Sequence, residues 1–192
     1  MTAALVRRIL TVFTLLTLLA ATAAAQPSRI ILLRHAEKPV NDAEIHLSDR
    51  GRQRALALEG WSTNSPVWGT NERPVAVFAC KPTVKAPSRR SVETITPLAA
   101  QLKLPVQTPF PAKNPDALAH QILTDPALNG KTVVICWARD EIPQLAGCLG
   151  IKSNDLKWHK NVFDRVWLIT FQDSTAVLSD LPQHVLTGDA EK

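Results

Sequence analysis

The sequence predicts an α/β protein built as a three-layer αβα sandwich, with helices covering both faces of a mostly parallel sheet and at least one antiparallel strand near the C-terminus. Three observations predict it. Continuous apolar runs at 30–33, 75–79 and 133–136 have the length and the two-sided hydrophobicity of strands buried inside a parallel sheet. Segments with apolar residues at helical spacing separate these runs. Two late runs, 166–171 and 175–178, flank Gln172-Asp173-Ser174 and predict a closing hairpin, which sets one strand against the direction of the rest.

The elements follow in chain order. Arg7 and Arg8 precede an uncharged apolar run from Ile9 to Ala20, and small residues continue to Ala25, the layout of a secretory signal. The run is shorter than the roughly 20 apolar residues that a membrane span needs, so stable membrane insertion after cleavage is not expected. Residues 1–25 therefore read as a leader and 26–192 as one domain, with a periplasmic or secreted location in a bacterium. The first strand lies at 30–33. Ser48 then caps a helix whose inner face carries Gly51, Ala55 and Leu58. After the second strand, Val92, Ile95, Leu98, Ala99 and Leu102 form one helical face, and Pro97 within it predicts a kink or a late start because proline lacks an amide hydrogen. Asn114-Pro115 starts a further helix carrying Leu118 and Ile122. Ile142, Leu145, Ala146 and Leu149 predict a last helix after the third strand.

The formal net charge of +5 includes two arginines of the leader, so the domain carries only a mild positive excess and nucleic acid is not an expected partner. The three cysteines, Cys80, Cys136 and Cys148, are too few for a disulfide framework, and one bridge is allowed but none is required. Cys136 and Cys148 lie in apolar segments and read as small buried hydrophobes. No cluster has metal-ligand spacing, and neither metal nor cofactor is expected.

Ligands of such sheets sit beyond the carboxyl ends of the strands, so the residues just after the apolar runs carry the functional reading. Arg34-His35-Ala36-Glu37-Lys38 follows the first run, Cys80-Lys81 the second, and Trp137-Ala138-Arg139-Asp140-Glu141 the third. The first group puts a fixed cationic fork beside a nitrogen nucleophile whose ordinary pKa is about 6.5. The stretch from Leu33 to Asn41, followed by 47–55, resembles the opening of the histidine phosphatase superfamily, which includes the phosphoglycerate mutases: a strand, Arg-His-Gly, and an asparagine six residues past the histidine. Ala36 stands where that family has glycine. Arg90-Ser91-Val92-Glu93-Thr94 resembles the family's second arginine helix, residues 133–150 its second-histidine segment, and 163–167 a late strand of one branch.

The resemblance implies a covalent mechanism in which His35 attacks phosphorus and water later hydrolyses the phosphohistidine. Arg34 and Arg90 would clamp the equatorial oxygens, where charge resides during transfer. Arg89 is the reserve for the second clamp, against an exposed helix arginine. Asn41 stands either as a phosphate donor or as a turn residue, and Glu37 either contacts substrate or pairs with Arg34 or Lys38. The partner implied is a small phosphorylated substrate or inorganic phosphate.

The family's second histidine is absent. Its place falls on Ala138 or Arg139, and losing one such donor commonly costs on the order of 10²–10³ in rate. Arg139 supplies charge and hydrogen bonds for substrate binding but does not release a proton. Asp140 takes the place of a proton donor if Arg139 takes the histidine's; the rival reading has Asp140 and Glu141 favouring a helix start through its dipole. His46, His120, His159 and His184 read as structural or solvated. Three functions remain in competition: an exported phosphomonoesterase, a phospho-ligand-binding relative with weak or no turnover, and an envelope protein with an incidental pocket.

Overall fold

The computed structural model describes residues 26–41, 43–69 and 73–189, so the leader expected at 1–25 lies outside the described residues. Six strands form one sheet: β1 (Arg29–Arg34), β2 (Pro74–Ala79), β3 (Val106–Gln107), β4 (Thr132–Trp137), β5 (Arg165–Gln172) and β6 (Thr175–Pro182), in the spatial order β3-β2-β4-β1-β5-β6. β1, β2, β3 and β4 run parallel, while β5 lies antiparallel to both β1 and β6. The predicted α/β class, the parallel centre and the closing hairpin are all present. The two-residue β3 has no counterpart in the sequence reading, because two residues are too few to establish a hydrophobic period.

Alternation along the inner strands builds two cores. Ile30 and Leu32 of β1 join Phe78, Ile135 and Trp137 on one face, under α3 (Pro115–Thr124) and α4 (Ile142–Cys148). Ile31 and Leu33 join Val77, Val134 and Cys136 on the other, under α1 (Asp49–Asn64) and α2 (Arg90–Leu102). All four β1 residues named are fully buried, as a central parallel strand requires. α2 continues through Pro97, which leaves the Glu93 carbonyl without the amide donor one turn on but does not end the helix; Ile95, Leu98 and Ala99 are buried on its inner face.

α1 positions the chain that follows β1. Ser48 caps it by accepting the Gly51 amide at 3.1 Å, and the Ser48 amide and hydroxyl both donate to the carbonyl of Glu37, at 3.0 and 3.1 Å. The helix comes so close that a Cβ at position 51 would lie 2.3 Å from that carbonyl oxygen. Gly51 is thus required by contact, whereas Gly60 in the same helix faces open space. Two substitutions separate contact from propensity. Gly60→Ala is expected to raise stability by up to about 1 kcal/mol through helix propensity. Gly51→Ala is expected to lower it by about 1–3 kcal/mol through overpacking, despite the same propensity gain. Urea melts of the two variants check the signs, and a stabilising Gly51→Ala would refute the close contact.

Candidate active site

β1 ends at Arg34, but its ladder with β4 runs one residue further, because the His35 amide donates to the Trp137 carbonyl at 3.1 Å. This sets His35 beside the end of the central strand β4. Its Nδ1 lies 2.8 Å from the carbonyl of Ala36. A carbonyl only accepts, so Nδ1 carries the proton and Nε2 keeps the lone pair. The Ala36 amide donates to Thr94 Oγ1 at 2.8 Å, and that hydroxyl donates to the Arg90 carbonyl at 2.7 Å. Thr94 thereby bolts the first turn of α2, and Arg90 with it, to the residue after the histidine. Ala36 is itself fully buried and packs with Leu47 and Ala55, so a methyl group fits where the resembling family has glycine.

Arg34 is only 3% exposed. Its Nη1 donates to the carbonyls of Lys160 and Val162, both at 2.7 Å, and of His159 at 3.4 Å. The Phe163 ring lies 3.7 Å from the guanidinium carbon, and its centroid is 6.3 Å from that of His35. Trp158 Nε1 donates to the same Val162 carbonyl at 2.9 Å, fixing the loop that holds Arg34. Arg90 donates through Nη2 to the Glu44 carbonyl at 2.9 Å. Among the described residues, neither arginine forms an ion pair with a carboxylate, and the Nε atoms of both are buried without a hydrogen-bond partner.

Burial pushes the His35 pKa down to about 4; the Ala36 carbonyl pulls it back up, and the charges of Arg34, Arg90 and Lys38 press it down further. Burial likewise lowers Arg34 to about 10, with the charge of Arg139 as the next cause, opposed by Asp140 and Glu37 and aided by Arg90. Arg34 remains charged at neutral pH. Folding has therefore brought the guanidinium groups of Arg34 and Arg90 near one neutral imidazole, with Arg139 near Arg34, an arrangement that a bound anion would relieve.

The remaining candidates fall at differing distances from this centre. Arg139 and Asp140 occupy a 3-10 turn (Arg139–Glu141) after β4, and Arg139 Nε donates to Asp140 Oδ1 at 2.7 Å. The Arg139 side chain is 26% exposed and that of Asp140 71%. The turn runs directly into α4, which starts at Ile142 with Glu141 as its N-cap residue and Asp140 one position before it. Glu141 makes no capping bond, and its buried carboxylate pairs with Lys113. Glu37 pairs with Arg54 and Arg50: Arg54 Nε lies 3.1 and 3.0 Å from its two oxygens, Arg54 Nη2 is 2.8 Å from Oε1, and Arg50 Nε is 3.3 Å from Oε1. Asn41 is exposed and acts in a turn, its Oδ1 accepting the Ala43 amide at 3.0 Å. Arg89 is also exposed, and its amide donates to Ile45 at 2.9 Å. His46 pairs with Glu93, and His159 serves Arg34 through its carbonyl.

Three contributors escaped the sequence reading. Phe163 and Thr94 lie within motifs that were recognised, but nothing in a motif says that a ring faces an arginine or that a hydroxyl bridges two loops. Arg54 does leave a signal: it sits beside Ala55 on the inner side of α1, where an unpaired charge is not tolerated.

The fold defined by this sheet order, with the site at the ends of β1 and β4, is that of the histidine phosphatases and phosphoglycerate mutases. Among solved structures it resembles mycobacterial glucosyl-3-phosphoglycerate phosphatase in complex with inorganic phosphate, with a TM-score of 0.54 and 15% identity over 79% of this chain and 95% of that one. The protein histidine phosphatase SixA complexed with tungstate gives a TM-score of 0.56 at 12% identity, covering 81% and 97%. Phosphoglycerate mutase from Plasmodium falciparum gives 0.56 at 12%, covering 85% and 96%. No family model and no curated protein matches the chain in sequence.

The depressed His35 pKa has a signed consequence for stability. A histidine whose folded pKa lies near 4 against an unfolded value near 6.5 contributes fully above pH 6.5, and the contribution is lost as pH falls toward 4. Its full size is roughly 3 kcal/mol. Urea unfolding in phosphate-free buffer at pH 7 and 4.5 is expected to show a smaller loss on acidification for His35→Ala than for the parent. Equal losses would mean that His35 is not held neutral by the fold.

Proposed function

We propose that the chain is an exported phosphomonoesterase of the histidine type, acting in the periplasm or outside the cell on a small phosphate monoester. The observation that carries the reading is the His35 imidazole, neutral, with Nδ1 tied to the Ala36 carbonyl, near the charges of Arg34 and Arg90 and with Arg139 near Arg34. The phosphate and tungstate held by the structural neighbours support the same class of ligand. The basic and apolar leader at 1–25 supports export.

In this mechanism the Nε2 lone pair forms a bond to phosphorus as the bond from phosphorus to the ester oxygen breaks. Arg34 and Arg90 hold the equatorial oxygens through guanidinium groups that backbone carbonyls already orient. The departing oxygen takes a proton from Asp140 or from water, and water then attacks the phosphohistidine and releases inorganic phosphate. Nδ1 keeps its proton throughout, so the phosphorylated ring is cationic and a better leaving group in the second step. Because His35 stays uncharged down to about pH 4, the acid limb of the rate profile belongs near that value rather than near 6.5.

The Arg139–Asp140 pair favours a second reading, a phosphate-binding relative with little turnover. The place of the second histidine falls on Ala138 or Arg139; Arg139 cannot shuttle a proton, and two of its nitrogens bond to the acid that would otherwise serve the leaving group. An aryl phosphate separates the two readings, because its leaving group departs without protonation. With residues 26–192, hydrolysis abolished by His35→Ala supports the enzyme. Turnover that appears only in Arg139→His supports the binding protein, with phosphate affinity retained in the parent by calorimetry. A parent with neither hydrolysis nor phosphate binding defeats both readings.

A further inference from the structure

The last described residues return to the functional end of the molecule, and they meet it at one buried arginine. Arg54 is 2% exposed and makes hydrogen bonds through every N–H direction of its fork. Nε and one side of Nη2 go to Glu37; the other side of Nη2 reaches Asp189 Oδ1 at 2.7 Å, and Nη1 reaches Asp189 Oδ2 at 2.8 Å. The Asp189 carboxylate, with its side chain 2% exposed, also accepts the amides of Val185 and Leu186, at 3.1 and 3.0 Å. Gln183, 3% exposed, completes the set: its Oε1 accepts from Arg54 at 3.4 Å and its Nε2 donates to the Arg165 carbonyl at 2.7 Å. Its amide donates to the Asp164 carbonyl at 2.8 Å.

Each end of this cluster touches a segment that carries part of the site. Glu37 is two residues beyond His35, and its carbonyl is already fixed by Ser48. Asp164 and Arg165 directly follow Phe163 and the carbonyls that grip Arg34. We infer that residues 183–189 form a C-terminal latch in which Asp189, acting through Arg54 and Glu37, is a positioning residue for His35, while Gln183 ties the Arg34 loop to the same point. His35 and the carbonyls that grip Arg34 lie on different segments, and this cluster, with the exposed Arg50 beside it at 3.3 Å from Glu37 and 3.6 Å from Asp189, is a side-chain bridge between them. Burial raises the Asp189 pKa and its bonds from Arg54, Leu186 and Val185 outweigh that, holding it below its ordinary value; the latch stays charged at neutral pH.

The kinetic half of this inference rests on the phosphatase reading, so the deciding measurement does not. Asp189→Asn keeps the shape and removes the charge. The His35 ring is followed by NMR against pH, beside circular dichroism for the fold. In the parent the midpoint is expected near 4. With the latch released, the ring gains access to water and the midpoint is expected to rise by a unit or more, toward about 6.5. If the parent hydrolyses an aryl phosphate, kcat is expected to fall about ten- to a hundredfold with KM within about twofold, because a misplaced nucleophile affects the chemical step before it affects binding. The double variant Arg54→Gln/Asp189→Asn, which removes both charges together, gives the same readings if the single variant unfolds. A folded variant with an unmoved His35 midpoint overturns the latch. Failure of both variants to fold also overturns it, by assigning the cluster to global stability. A parent without hydrolysis leaves the titration to decide alone.

Discussion

An uncharged imidazole beside two guanidinium groups, Arg34 and Arg90, that pair with no carboxylate among the described residues is the constraint from which the rest of the site follows. Like charges at the end of a sheet repel, and burial raises the cost of each. The protein meets that cost with neutral acceptors: the carbonyls of residues 159, 160 and 162 for Arg34, and that of Glu44 for Arg90. Carbonyls orient an arginine without cancelling its charge. They keep the field available for an incoming anion, whereas a carboxylate would have consumed it.

The two treatments of arginine in this chain make the contrast plain. Arg54 is as buried as Arg34 but sits between Glu37 and Asp189, and those bonds hold its pKa above the ordinary value even though burial opposes them. Arg34 has no such partner and falls below it. One is a closed electrostatic unit that holds loops in place; breaking such a buried pair by removing a single partner commonly costs about 3–5 kcal/mol. The other is a charge oriented by carbonyls and the Phe163 ring, with no carboxylate paired to it among the described residues. Arg139 lies between them, near Arg34 but bonded to Asp140, and the proposed function turns on whether that bond leaves Asp140 able to serve a leaving group.

Much of this was legible in the chain. The strands at 30–33, 75–79 and 133–136 announced themselves because both faces of a central strand must be apolar; Arg34 and His35 were marked by their place just after a strand, and Arg90 by the family resemblance. Glu37 was legible only as an acid near the nucleophile. Its buried partner proved to be Arg54, seventeen positions along, because α1 lies back across the loop with Gly51 against the Glu37 carbonyl. The turn role of Asn41 and the 3-10 turn that leads from Asp140 into α4 were equally out of reach, since each depends on a few backbone angles rather than on a hydrophobic period.

What the sequence determined by itself was the layering and the order of elements, because these rest on periodicity and on local residue type; the roles expected of His35, Arg34 and Arg90 came from the family resemblance. Only the tertiary structure decided the electrostatics. The pKa of His35, the carbonyl grip on Arg34 and the return of Asp189 to Arg54 join residues more than a hundred positions apart, and burial and distance are properties of the packed chain, not of any segment within it.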